Sequence, residues 1–191
     1  MVKQNKKRFL YPDEYKKLIQ VMKPNQKYIA KVLINTGARY NEAKNILKQD
    51  LDNNRSTIVL RKTKVRAKLG EKIPQPRIIS VSNMFFKYMK KNVGKYKFIT
   101  NQAFNISLHK LTPTIKIKNP DEITAHNFRK TFGTWMLALG CDGFKIAQHL
   151  GHTPTELARD YATNDVFNDK DKEEMKDILG NLHLRFIQRP Y

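Results

Sequence analysis

Residues 124–140 read TAHNFRKTFGTWMLALG. Phe128, Phe132, Trp135, Met136 and Leu139 recur at helical spacing and form one apolar face. Thr124 precedes that run in the cap position, and Gly140 follows it as a C-cap. The stretch therefore reads as a core helix. His126 and Arg129 lie three residues apart, so one turn of helix aims both at the same place. A donor or base beside a permanent cation is an arrangement that can do chemistry. Its plainer alternative is a capping histidine next to a surface arginine.

Outward from this helix the chain continues mostly helical. Asp142 caps a helix through Ile146, Ala147 and Leu150, and Gly151-His152-Thr153-Pro154 turns away from it. A short helix over 155–162 and a charged one from Asp169 to Leu179 follow, the latter ending at Gly180. Upstream, Pro12 opens a helix with Tyr15, Leu18, Ile19 and Met22 on one face, and Pro24-Asn25 breaks it. A second helix from Gln26 to Asn35 buries Ile29, Ala30, Leu33 and Ile34. Gly37 punctuates, and a short third helix after Arg39 buries Ala43, Ile46 and Leu47. Thr57–Leu60 and Arg77–Val81 read as paired strands, because their β-branched residues follow turn signals. Ser82 caps a helix through Phe85, Phe86 and Met89, and Asn101 caps another to Leu111. The expected class is mainly α with a small antiparallel β-sheet (α+β), as one domain over residues 1–191, with its core at 8–165 and a C-terminal helix and tail at 166–191.

Charge narrows the function. Lys and Arg number 37 against 17 Asp and Glu, a formal net charge of +20. Residues 53–120 hold 16 of the basic side chains and one acidic residue, Glu71. Such a surplus suits a polyanion, and duplex DNA first of all. No apolar run is long enough for a bilayer, and no secretory signal precedes the first helix. The single Cys141 excludes a disulfide framework and a cysteine-built zinc site. The chain is expected inside a cell, in cytoplasm or nucleoid, with no membrane partner and no small-molecule substrate.

Further clusters carry chemistry. In Thr36-Gly37-Ala38-Arg39, an arginine stands at a helix start after a glycine, where it can grip a phosphate. Glu42 lies one turn on and can orient that guanidinium. In Leu150-Gly151-His152, a histidine sits in a turn directly after a helix. His149 is three residues earlier, but no further ligands complete a metal set, so it reads as structural. Tyr161 follows His152 by nine residues. A tyrosine attacks only if its proton can leave, and an electropositive pocket helps it do so.

Taken together, Arg39, His126-x-x-Arg129, Leu150-Gly151-His152 and Tyr161 form an ordered pattern that resembles the tyrosine recombinase (integrase) family over residues 8–165. The resemblance implies a catalytic set of Arg39, a lysine on the hairpin, His126, Arg129, His152 and Tyr161 as nucleophile, with Glu42 in support. Lys64 in Thr63-Lys64 fits the lysine position, and Lys62 is its alternative. It also implies cleavage and rejoining of DNA through a 3′-phosphotyrosyl intermediate, with no metal, ATP or other cofactor. Arg61, Lys62, Arg66, Lys68, Lys72 and Arg77, in the basic middle segment, are expected on the DNA backbone.

The same resemblance implies an attachment-site duplex as partner, self-association as a dimer or tetramer on it, and service to a virus or mobile element. Relatives usually carry a helical core-binding domain before the catalytic one, and here it is expected to be absent. The C-terminal segment after Tyr161 is expected either on a neighbouring protomer or on its own domain. Ala38 departs from the leucine common before the first arginine. Two other functions share features of the pattern: a type IB topoisomerase-like relaxing enzyme, and a DNA-binding module without chemistry.

Overall fold

The α6 helix, Ala125–Ala138, organises the core. Phe128, Phe132, Trp135 and Met136 are fully buried along it, as their spacing requires. Polar side chains fix its start. The Asn127 Oδ1 accepts from the Thr124 N–H at 2.8 Å, and Asn105 Oδ1 accepts from the Ala125 N–H at 2.8 Å. The extended chain before the first helix is stitched to it as well. The Trp135 indole N–H donates to the Leu10 carbonyl at 2.9 Å, and the Leu10 N–H donates to Thr131 Oγ1 at 2.9 Å.

The computed structural model describes residues 8–61, 76–117, 119–161 and 166–187, with 159–161 described by backbone alone. In chain order these residues form α1 (Pro12–Val21), α2 (Pro24–Thr36), α3 (Tyr40–Lys44), β1 (Leu51–Asp52), β2 (Thr57–Leu60), β3 (Arg77–Ser80), α4 (Asn83–Asn92), α5 (Asn101–Leu111), α6, α7 (Gly143–Leu150), α8 (Pro154–Tyr161) and α9 (Asp169–Leu179). The strands make an antiparallel meander in the order β1-β2-β3, in which Leu60 faces Arg77. Helix α2 packs on α6, α7 touches β3, and α8 lies against both α6 and α7. The expected class, mainly α with a small antiparallel sheet, is the observed one.

Three local differences have simple causes. Helix α2 starts at Pro24 rather than Gln26, because a proline at the first helical position loses no hydrogen bond. Leu47, expected inside, is 51% exposed, because α3 stops at Lys44 and the helical phase ends with it. The cap of α5 is Thr100, whose hydroxyl accepts from the Ala103 N–H at 3.1 Å. Helix α9 packs on its own domain, against α1, α2 and α6. Its Met175 and Leu179 are fully buried, and Lys16 reaches Glu174 at 3.2 Å.

Candidate functional site

The site begins where α2 ends. Gly37 adopts φ +59°, and a Cβ there would lie 2.6 Å from Phe132 Cδ1 and 2.8 Å from Leu150 Cδ2. Only glycine lets the backbone come this close to α6 and α7 while turning left-handed. The turn delivers Arg39 to the N-cap of α3. The Arg39 N–H donates to Glu42 Oε2 at 2.8 Å. Its Nη1 reaches Oε1 of the same carboxylate at 3.1 Å, and the side chain stays 51% exposed.

Arg129 is 1% exposed. Its Nη1 donates to the Gly37 carbonyl at 2.8 Å. Its Nη2 donates to the Leu150 carbonyl at 2.5 Å and meets His152 Nε2 at 2.8 Å. A guanidinium only donates, so His152 Nε2 accepts here and the ring proton is on Nδ1. One buried fork thus ties together the end of α2, the end of α7 and the histidine turn. Gly37 and Arg129 lie 92 residues apart in the sequence. His126 lies on the exposed side of the first turn of α6.

His149 is structural, as its sequence context indicated. Its Nε2–H donates to the Thr36 carbonyl at 2.9 Å. Its ring stacks on Phe132 with 4.9 Å between centroids. Burial holds its pKa down at about 4, helped by the Arg77 and Arg129 charges and opposed by the bond to Thr36. The unfolded histidine takes a proton near pH 6.5, while the folded one refuses it until about 4. The stability given by neutral His149 is therefore complete above about pH 6.5 and drains away as pH falls toward 4, by about 3 kcal/mol in all. Urea midpoints measured across that window should fall, and His149→Gln should remove this component of the fall.

Lys62, Lys64, Arg66, Lys68 and Lys72 lie outside the described residues. Arg61 and Arg77 flank that segment, and both are engaged by carboxylates. Arg61 Nε donates to buried Asp50 at 2.5 Å, with the arginine side chain 49% exposed. Arg77 does not sit as a free backbone-phosphate contact. Its Nη1 and Nη2 donate to Glu42 Oε1 and Oε2, each at 2.7 Å. Its Nε donates to the His149 carbonyl at 3.0 Å. Charge counting missed this brace, because a sequence presents every arginine as surface charge. The available signal was Arg77 opening a strand of otherwise half-apolar residues. Burial by itself would raise the Glu42 pKa, but the Arg77 bonds and charge, with Arg39 adding to them, bring it down to about 2.

Tyr161 is the last residue of α8, the helix that rests on the two helices bearing Arg129 and the His152 turn. Among the described residues no three His, Cys, Asp or Glu side chains are grouped to hold a metal. Among them, too, no helix is long and apolar enough to cross a membrane.

Comparison with known proteins agrees with this fold. A family model described as the phage integrase family matches residues 8–166. The tyrosine recombinase XerA of Pyrococcus furiosus is 26% identical over 184 residues, covering 91% of this chain and 63% of the relative. The integrase of Escherichia phage P2 is 27% identical over 154 residues, covering 81% of this chain and 42% of the relative. The chain thus spans less than two thirds of either curated relative. In fold it is similar to the Tn1549 transposon integrase solved with transposon right-end DNA, at TM-score 0.64 and 18% identity, over 91% of this chain and 66% of that one.

Proposed function

This chain belongs to the phage integrase family, and from that premise we propose that it is the catalytic part of a site-specific DNA recombinase that cuts and rejoins strands through a 3′-phosphotyrosyl intermediate. The observation that carries the reading is Arg129, whose one guanidinium gathers the Gly37 turn below Arg39 and the His152 ring. In this reading a phosphate bound there meets two arginines and a histidine.

The chemistry follows from the residue types. Arg39 and Arg129 neutralise the non-bridging oxygens of the scissile phosphate as charge builds there. This is the service a divalent metal gives in other phosphoryl-transfer sites. A phosphate oxygen takes the place of His152 Nε2 as acceptor for Arg129, and the released imidazole, once protonated, donates to the same phosphate. Tyr161 Oη attacks phosphorus and passes its proton to His126. The P–O5′ bond breaks, and Lys64, or Lys62 in its place, protonates the leaving oxygen. The phosphotyrosyl ester keeps the bond energy, so a 5′-hydroxyl from another strand can reverse the step without ATP.

Duplex DNA is the partner we propose, as for the Tn1549 integrase to which the fold is similar. Each cut uses one tyrosine, so exchanging both strands of two duplexes engages several protomers together. Service to a viral or mobile element fits the phage P2 relative. Such an enzyme works in the compartment that holds the DNA. The test is strand exchange between two duplexes bearing the attachment site. Recombinant products support the reading. Plasmid relaxation without joining would assign the chain to topoisomerase-like work instead, and salt-sensitive binding with neither would leave a non-catalytic module.

A further inference from the structure

We infer that Arg77 is a positioning residue that neutralises Glu42, so that Arg39 keeps its positive charge for the DNA phosphate. This rests on the reading above that Arg39 grips a phosphate.

One carboxylate here faces two guanidiniums. Glu42 is buried, with an 8% exposed side chain, while Arg77 is 19% and Arg39 51% exposed. Arg77 takes both carboxylate oxygens at 2.7 Å. Arg39 takes one of them from its side chain, at 3.1 Å. The shorter, two-point bond is the one that satisfies the charge, since fork-to-carboxylate pairing is the stronger geometry. The Arg39 guanidinium is left with a single, longer contact that orients it without consuming it.

Among the described residues, the other cation paired with the buried carboxylate is Arg39. A buried carboxylate does not tolerate being unpaired. Without Arg77, Arg39 would be drawn inward to replace the missing fork, and the net charge offered to a phosphate at that point would fall to zero. The same Arg77 side chain packs beside the turn before His152: a Cβ on Gly151 would lie 3.4 Å from Arg77 Nη1. Its Nε also fixes the His149 carbonyl. Arg77 therefore sets the charge at Arg39 and the position of the histidine turn from one place on β3.

Charge bookkeeping separates this role from simple bracing. The affinity of the chain for duplex DNA at low salt is measured with and without Arg39→Gln, in three backgrounds: unaltered, Arg77→Gln, and Arg77→Gln with Glu42→Gln. Thermal melts accompany each. In the unaltered background, loss of Arg39 should weaken binding about tenfold, the scale of one charged hydrogen-bonded contact. In Arg77→Gln the penalty should shrink to about twofold or less, because Arg39 is already captured. In the double background it should return to about tenfold, because the capturing charge is gone. A merely structural brace predicts no such return.

An Arg39 penalty that is equal in the first two backgrounds overturns the inference, and so does one that is absent in all three. If Arg77→Gln lacks a cooperative melt, Arg77→Lys and the double variant carry the test. Both preserve the balance of charge, so both must keep the Arg39 penalty, and its loss in either overturns the inference. Failure of the functional reading looks different: the penalties follow the predicted pattern, but no covalent Tyr161 adduct ever forms.

Discussion

Gly37→Ala should destabilise the protein by about 2–5 kcal/mol, one of the largest losses available from a single methyl group. Two independent costs add. A left-handed residue with a Cβ costs about 1–2 kcal/mol, and forcing a methyl into a packed core costs about 1–3 kcal/mol. Here the methyl would meet Phe132 Cδ1 at 2.6 Å and Leu150 Cδ2 at 2.8 Å. Both belong to the rigid centre of the fold, so neither moves away cheaply. Gly94→Ala is the matched control. It also has positive φ, at +85°, but nothing lies within 4 Å of its would-be Cβ. It should therefore show the backbone cost alone. Urea unfolding of the two variants isolates the packing term, and equal losses would contradict the close approach. Activity should suffer beyond stability, because the Gly37 carbonyl is an acceptor for Arg129.

Arg129→Lys should lower the single-turnover cleavage rate by about 10²–10³-fold while leaving the charge in place. The fully buried fork serves three acceptors, the Gly37 and Leu150 carbonyls and His152 Nε2. An ammonium on a flexible stem cannot cover the same three points in the same plane. At least one buried carbonyl then loses its partner, at about 1–3 kcal/mol, and His152 loses the contact that holds its ring. DNA affinity should change by less than about tenfold, because phosphate attraction depends on charge more than on fork geometry. Rates near the unaltered level would show that the shape of the guanidinium does not matter to the reaction.

Much of the frame was legible because it rests on local rules. The apolar spacing of Phe128, Phe132 and Trp135 gave α6, and the β-branched runs gave the β2–β3 pair. The ordered pattern of Arg39, His126-x-x-Arg129, His152 and Tyr161 supplied the candidates for the site. The joining of Arg129 to the Gly37 turn was not legible, because it depends on how α2 stacks on α6 and no local pattern encodes that. The fate of Arg77 was missed for a related reason. A count of charges sees a cation, while only packing reveals a buried carboxylate such as Glu42 waiting for it. Strand β1 was overlooked because two residues carry no periodicity, and the turn at 53–54 masked them. The α9 helix had two homes open to it by composition; within the single chain Met175 and Leu179 are buried.

The central claim is that these cations grip a scissile phosphate while Tyr161 attacks it. The most direct measurement is covalent trapping on a nicked duplex carrying the cognate attachment site, with EDTA present, resolved on a denaturing gel. The unaltered chain should form a protein–DNA adduct that is lost in Tyr161→Phe, and digestion should yield a peptide containing Tyr161 joined to a 3′-phosphate. Tight binding to that site with no adduct, or an adduct that survives Tyr161→Phe, would contradict it.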